Sequence, residues 1–272
     1  MNKFKGRIAI LGSGNIGVSL AKGLVKANYA QPGQISLTRR NIAGLGALAE
    51  QGFITSVDNA DVVAGADLIV LAVLPQQLNQ LMEQIRPAVD SSKQVFISVA
   101  SGVSCADIRN KLGAETQVIR AMPNTAIAIG QSMTCVATDT ASAVNVEEVI
   151  RMFETVGAAV KINEDLMTSA TALCACGIAF FLRAIRAASQ GGVEIGFHAD
   201  EALKMAVQTA KGAADLLLQM QSHPEQEIDK VTSPKGCTIA GLNEMEHNGF
   251  SSSLIKGIKL SAVKAGALYT KD

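Results

Sequence analysis

Short aliphatic runs alternate with helical spacing from Arg7 to Ile162. Arg7–Leu11 reads as a strand, and Gly12-Ser13-Gly14-Asn15-Ile16-Gly17 turns it into a helix that runs to Lys26. Ile35–Thr38 is a second strand. Leu68–Val73 is an unbroken aliphatic run, the pattern of a strand covered on both faces of a parallel sheet. Val95–Val99, Gln117–Arg120, Met133–Ala137 and Ala158–Ile162 continue the series. Strands that alternate with helices predict a doubly wound α/β sheet.

Beyond Glu164 the strand signal stops. Apolar residues recur with helical spacing at Leu203, Ala206, Val207, Ala210, Ala214, Leu217 and Leu218, and again at Leu254, Ile258, Ala262, Ala265 and Leu268. Small residues dominate these faces, so helices can approach closely. The expected fold is therefore α/β with a Rossmann sheet in residues 1–162, followed by an all-helical domain in residues 163–272. Leu166–Leu182 carries no charge, but it is shorter than the roughly 20 residues of a spanning helix and holds Thr168, Ser169, Thr171 and Gly177. A buried helix is expected there.

Composition narrows the picture. Only 18% of residues are charged, which points to apolar surface covered between subunits. The formal net charge is zero, which argues against a nucleic-acid partner. No acidic residue precedes Glu50, whereas Lys3, Lys5, Arg7, Lys22, Lys26, Arg39 and Arg40 do. The five cysteines form no CxxC pair, so disulfides are not expected and a reducing cytoplasm fits. Met1–Gly6 is basic, but the apolar stretch after it is broken by glycines without a cleavage pattern, so no signal peptide is expected. No metal is expected either: His198, His223 and His247 have no ligand at metal spacing, and Cys174 and Cys176 point to opposite sides of a helix.

The glycine motif follows a strand and opens a helix, the context of a dinucleotide site. Gly12 allows a tight turn, Gly14 admits a pyrophosphate, and Gly17 lets helix and strand pack. An NAD site offers a carboxylate at the end of the second strand. Here Thr38-Arg39-Arg40 stands instead, and a guanidinium can fork onto a 2′-phosphate. NADPH is expected, with NADH less favoured.

Three more segments complete a resemblance to the pyrroline-5-carboxylate reductase family: Arg120-Ala-Met-Pro-Asn-Thr125, Glu164-Asp-Leu166 with Thr171-Ala-Leu173, and Val231-Thr-Ser-Pro-Lys-Gly-Cys-Thr-Ile-Ala-Gly-Leu242. The resemblance runs from about residue 7 to 268. It implies NADPH-dependent reduction of 1-pyrroline-5-carboxylate to L-proline, and a helical domain that interlocks two subunits into a homodimer, with larger rings of dimers common in the family. Cofactor contacts are implied at Leu11, Gly12, Ser13, Gly14, Asn15 and Ile16, at Arg39 on the 2′-phosphate, and at Asn59 on the adenosine end. Ala72, Val73, Leu74, Pro75, Val99, Ala100, Ser101 and Asn124 are implied on the pyrophosphate and nicotinamide side. Substrate contacts are implied at Glu164, Gly236, Cys237 and Thr238.

The chain departs from the family at four places. Leu74 stands where lysine is usual, Cys174-Ala-Cys-Gly-Ile178 where Ser-Gly-Ser-Gly-Pro is common, Lys235 in place of the first of two glycines, and Ala126 where a proline follows Asn-Thr.

Hydride transfer to a protonated imine asks for placement more than acid–base work. Pro234 and Gly236 shape a turn ahead of a helix, so successive N–H groups can face a carboxylate. Thr238 is expected to orient the ring nitrogen and handle its proton, a role compatible with capping the helix. Three other readings stand beside this one. A β-hydroxyacid reductase would need a lysine on the first helix of the second domain, and none precedes Lys204 there. A cofactor-binding regulator of the same fold without turnover, and a reductase of a related cyclic imino acid, fit the same motifs.

Overall fold

A computed structural model describes residues 3–269. Eight strands form one sheet in the order β3-β2-β1-β4-β5-β6-β7-β8. The chain runs β1 (Ile8–Leu11), α1 (Asn15–Lys26), β2 (Ile35–Thr38), α2 (Gly46–Ala49), β3 (Ile54–Ser56) and α3 (Asn59–Ala64). It crosses to β4 (Leu68–Leu71) and continues through α4 (Pro75–Ile85), β5 (Val95–Ser98), α5 (Cys105–Leu112) and β6 (Gln117–Met122). β7 (Ser132–Ala137), α6 (Ala143–Glu154) and β8 (Gly157–Lys161) close the sheet. Every pairing is parallel except β6 with β7, where a single 3₁₀ turn at Thr125–Ile129 reverses the chain.

Strand periodicity sorts the core into two layers. Ile8 and Ile10 of β1 face one way, onto Leu20 and Leu24 of α1 and onto Val149 and Phe153 of α6. Ala9 and Leu11 face the other way, among Val63 of α3, Leu78 and Met82 of α4, and Ile108 of α5. Both faces are thus covered, which is why β4 reads Leu-Ile-Val-Leu with all four residues buried. The strand missed from the sequence is β3, three residues long and partly exposed.

Glu164–Glu194 is one helical run. Among the described residues it is long and apolar enough to cross a membrane by length and composition, and 28% of its most apolar window is buried. It comprises a 3₁₀ turn, α7 (Met167–Ala170), a π-helical stretch at Thr171–Cys176, and α8 (Gly177–Glu194). α9 (Ala199–Met220), α10 (Pro224–Lys230), α11 (Cys237–His247) and α12 (Phe250–Ala265) follow.

The chain divides into two compact units, residues 1–176 with 260–272, and residues 177–259. The sequence boundary at 162/163 falls just after β8. The first unit reaches further because Met167 and Ala170 are buried against Met122, Cys135 and Ala137. The end of α12 also belongs to this unit. The Ala265 carbonyl lies so close to Gly102 that a Cβ on the glycine would come within 2.9 Å of it. Tyr269 donates a hydrogen bond to Asn79 Oδ1 of α4 at 2.6 Å.

In the second unit α8 and α9 pack on each other, and Gly192 lets them close to the Ala202 methyl. Much apolar surface stays open there, including Phe181, Leu182, Leu203, Val207, Leu218 and Met220.

Candidate active site

β2 and β3 extend the sheet to one side of β1, and β4 onward extend it to the other. At this switch point a cleft of about 630 Å³ opens beyond the carboxyl ends of β1, β2, β4 and β5. Its floor is the glycine loop. Gly12 has φ +105°, and a Cβ there would overlap the Ala72 carbonyl, so glycine is required on two counts. The loop is pinned to β2: the N–H groups of Gly12 and Ser13 and the Ser13 hydroxyl all donate to Thr38 O, at 3.3, 3.0 and 2.9 Å.

Gly14 is the N-cap of α1, with no side-chain cap and no acidic residue in the first turn. A Cβ on Gly14 would meet nothing within 4 Å. The first-turn N–H groups of α1 are therefore available to an anion that can approach to backbone distance. At Gly17 a Cβ would strike the Gly12 carbonyl, which explains the third glycine as one of loop-to-helix packing.

Arg39 and Arg40 stand exposed at the end of β2 and line the cleft between Thr38 and Asn41. No carboxylate lies in that stretch. Gly44 leaves room for the Arg39 guanidinium, since a Cβ there would come within 2.5 Å of Nη1. Asn59, the first residue of α3, borders the far end and donates to Gln84 Oε1 at 3.1 Å.

Across the cleft lie Ala72, Val73, Leu74 and Pro75, and beside them Val99, Ala100 and Ser101. Leu74 is 64% exposed at the N-cap of α4, so this departure from the family places an apolar side chain at the cleft wall. Leu11 is wholly buried and does not line the cleft. Its carbonyl accepts from Ala72 N at 2.8 Å, which ties the loop after β4 to β1.

Asn124 also lies outside this cleft. Its side chain accepts from Ala126 N at 3.1 Å and donates to the Cys174 carbonyl at 3.3 Å, joining the turn after β6 to the π-helical stretch. Next to the cleft, a recess of about 500 Å³ shares Ser13–Ile16 and Arg39 and adds Ser19, Thr125 and Ala128. Val57 and Gln77 line the main cleft and were not anticipated. Val57 follows the unrecognised strand β3, and Gln77 sits in the first turn of α4, where sequence offers only an ordinary helix start.

In the second unit, Gly236 is the N-cap of α11, with no side-chain cap. Gly236 N donates to Ser233 O at 2.9 Å, and a Cβ on Gly236 would press within 2.5 Å of the Ser233 hydroxyl. Lys235 ahead of it has φ 58°, the left-handed conformation that glycine adopts freely. The family's usual glycine at this position thus has a backbone reason, and lysine holds the same turn under strain. Because the cap is Gly236, Thr238 is the second residue of α11, in its first turn, with its hydroxyl uncommitted to capping. Cys237 is exposed and Thr238 half-buried.

Glu164 lies in the first unit with its carboxylate already engaged. It accepts from Cys105 N, at the start of α5, at 2.7 Å and pairs with Arg120 at 3.3 Å. The carboxylate also lies within 4.8 Å of Cys105 Sγ and the Asp139 carboxylate. The chemistry of that trio is that of a polar staple. Arg109 holds Asp139 as a carboxylate below its ordinary range, and burial, with Glu164 nearby, pushes the Cys105 thiol up to about 12. A neutral thiol and two arginine-paired carboxylates make a poor cation site.

Residues 164–268 match the family described as pyrroline-5-carboxylate reductase dimerisation, and residues 7–102 match the NADP oxidoreductase, coenzyme F420-dependent family. Pyrroline-5-carboxylate reductase 1 of Dictyostelium discoideum is 47% identical over 100% of this chain, which spans 51% of that protein. Reductase 2 of the same organism is 46% identical, over 95% of this chain and 91% of that protein. The solved pyrroline-5-carboxylate reductase from Coxiella burnetii superposes with a TM-score of 0.90 at 26% identity, over 98% of this chain and 100% of that one. A dinucleotide-type cleft, an uncapped glycine turn at Gly236 and near-complete coverage of the second Dictyostelium relative agree: the chain belongs to the pyrroline-5-carboxylate reductase family.

Proposed function

We propose that this protein reduces 1-pyrroline-5-carboxylate to L-proline with NADPH as the electron donor. The observation that carries the reading is the cleft itself. An uncapped helix start stands over an unobstructed Gly14, with two arginines and no carboxylate at the end of β2. These residues suit a dinucleotide that bears a 2′-phosphate, and the match of residues 7–102 to an NADP oxidoreductase family agrees. NADPH, when bound, supplies the hydride.

The protein's part is placement. The first turn of α1 would hold the pyrophosphate, and Arg39 with Arg40 the 2′-phosphate. Asn59 would border the adenosine end. Ala72–Pro75 and Val99–Ser101 would flank the nicotinamide side, with Asn124 fixing the neighbouring turn. The N–H groups of Cys237 and Thr238, at the start of α11, would receive the substrate carboxylate, with Gly236 shaping the turn ahead of them. Thr238 would orient the ring nitrogen and exchange its proton as the imine becomes an amine. Glu164, bound to Arg120 and Cys105 N, would act from the substrate side as a fixed negative charge.

Assembly into a homodimer through residues 163–272 fits the open apolar faces of α8 and α9, which a partner would cover together with the Glu164–Glu194 run. Rings of dimers and a cytoplasmic location belong to the same reading.

The test follows NADPH oxidation by purified protein with 1-pyrroline-5-carboxylate, and with its six-membered homologue as comparison. Turnover with the five-membered imine is expected. Tight NADPH binding without turnover on either imine would instead favour a regulatory protein of this fold.

A further inference from the structure

Two cysteines far apart in sequence meet in the first unit. Cys135 lies on β7 and is 5% exposed, while Cys174 lies in the π-helical stretch and is half-buried. Their sulfurs are 3.8 Å apart, one thiol donating to the other. Met122, Met167, Ala170 and Ala175 pack around them, and among the described residues the hydrogen-bond partner of each sulfur is the other. Cys174 stands where serine is common in the family.

We propose that Cys135 and Cys174 are a peroxide-oxidisable dithiol that closes reversibly to a disulfide. The steps balance. The Cys174 sulfur, as thiolate, attacks hydrogen peroxide, breaks its O–O bond and leaves a sulfenic acid and hydroxide. The Cys135 sulfur then attacks that sulfenic sulfur, forms the S–S bond and releases water. Overall, two thiols and one peroxide give one disulfide and two waters.

The electrostatics suit this order. The hydrogen bond from Cys135 pulls the Cys174 thiol down toward neutrality, and that hydrogen bond together with burial holds Cys135 protonated until it is needed. The sulfurs must close from 3.8 Å to about 2.05 Å. Cys174 lies in a π-helical stretch, a departure from the regular α-helical hydrogen-bond ladder of the kind often found at functional sites. Oxidation would then draw in the same stretch whose Cys174 carbonyl takes the Asn124 amide.

Reduced, full-length protein is treated with hydrogen peroxide, alkylated, and read by intact mass and peptide mapping. The expected result is a loss of two hydrogens, protection of two thiols, and a single cross-linked peptide pair joining Cys135 to Cys174, all undone by dithiothreitol. Cys174→Ser should abolish the cross-link and Cys176→Ser should preserve it. If Cys174→Ser does not fold, the wild-type peptide map decides alone. The proposal is overturned if both thiols still alkylate after treatment, if Cys174 passes to sulfinic acid without a cross-link, or if the bridge forms to Cys176 or Cys105.

Discussion

Arg39→Ala removes the guanidinium that flanks the cleft at the end of β2 and leaves the sheet untouched, because the side chain is exposed. A charge-assisted hydrogen bond contributes about 1.5–3 kcal/mol. At about 1.4 kcal/mol per decade, its loss from a 2′-phosphate contact corresponds to roughly 10- to 100-fold in kcat/KM for NADPH. Arg40 stays beside the same position, so the single variant should fall near the lower bound and the double Ala variant near the upper. NADH has no 2′-phosphate, and its kcat/KM should stay within about twofold. Gly44→Ala gives an independent check from the backbone side. Its methyl would come within 2.5 Å of Arg39 Nη1 and push the guanidinium aside, so NADPH should weaken in the same direction by less. The assay is steady-state kinetics with both cofactors at saturating imine. Equal losses with NADPH and NADH, or none with NADPH, would refute a phosphate-reading Arg39.

Four further outcomes follow from the geometry. Thr238→Ala should lower kcat/KM by about 10-fold or more while Thr238→Ser keeps most of it, and an unchanged value for the Ala variant removes this hydroxyl from the chemistry. Lys235→Gly should relieve a left-handed strain of about 1–2 kcal/mol, less about 0.4–1 kcal/mol of added unfolded-state entropy, and so raise the urea midpoint; a lower midpoint contradicts it. Gly17→Ala should destabilise the protein by about 1–3 kcal/mol in urea unfolding, because its methyl overlaps the Gly12 carbonyl, and a neutral result would mean the loop yields freely. Asp139 is held below its ordinary range chiefly by the Arg109 hydrogen bond, so the unfolded state binds the proton first as pH falls. Its contribution is present above the ordinary carboxylate value of about 4 and is lost as pH drops through the folded value, so Asp139→Asn should flatten that acid limb of the stability curve.

What sequence reveals and what it hides follow from range. The Leu68–Leu71 run and the Gly12-Gly14-Gly17 turn announce themselves because their signal is local: continuous aliphatics for a strand buried on both faces, and a glycine turn in which Gly12 and Gly17 are demanded by contacts within a few residues or by the neighbouring strand end. β3 stays hidden because Ile54–Ser56 is too short and too exposed to alternate. The antiparallel β6–β7 pairing is equally silent, since Thr125–Ile129 carries no hairpin signature. In the site, Arg39 is legible as the residue standing where a carboxylate is usual. The engagement of Glu164 by Arg120 and by Cys105 N, and the meeting of Cys135 with Cys174, depend on pairings dozens of residues apart that no spacing rule contains.

The return of residues 260–269 to the first unit has a consequence for biogenesis. The contacts of Ala265 with Gly102 and of Tyr269 with Asn79 can form only after the whole intervening segment of helices has left the ribosome. The nucleotide-binding half therefore emerges early but waits for its last piece, and a nascent chain stalled before residue 260 would show the loop after β5 open to proteases.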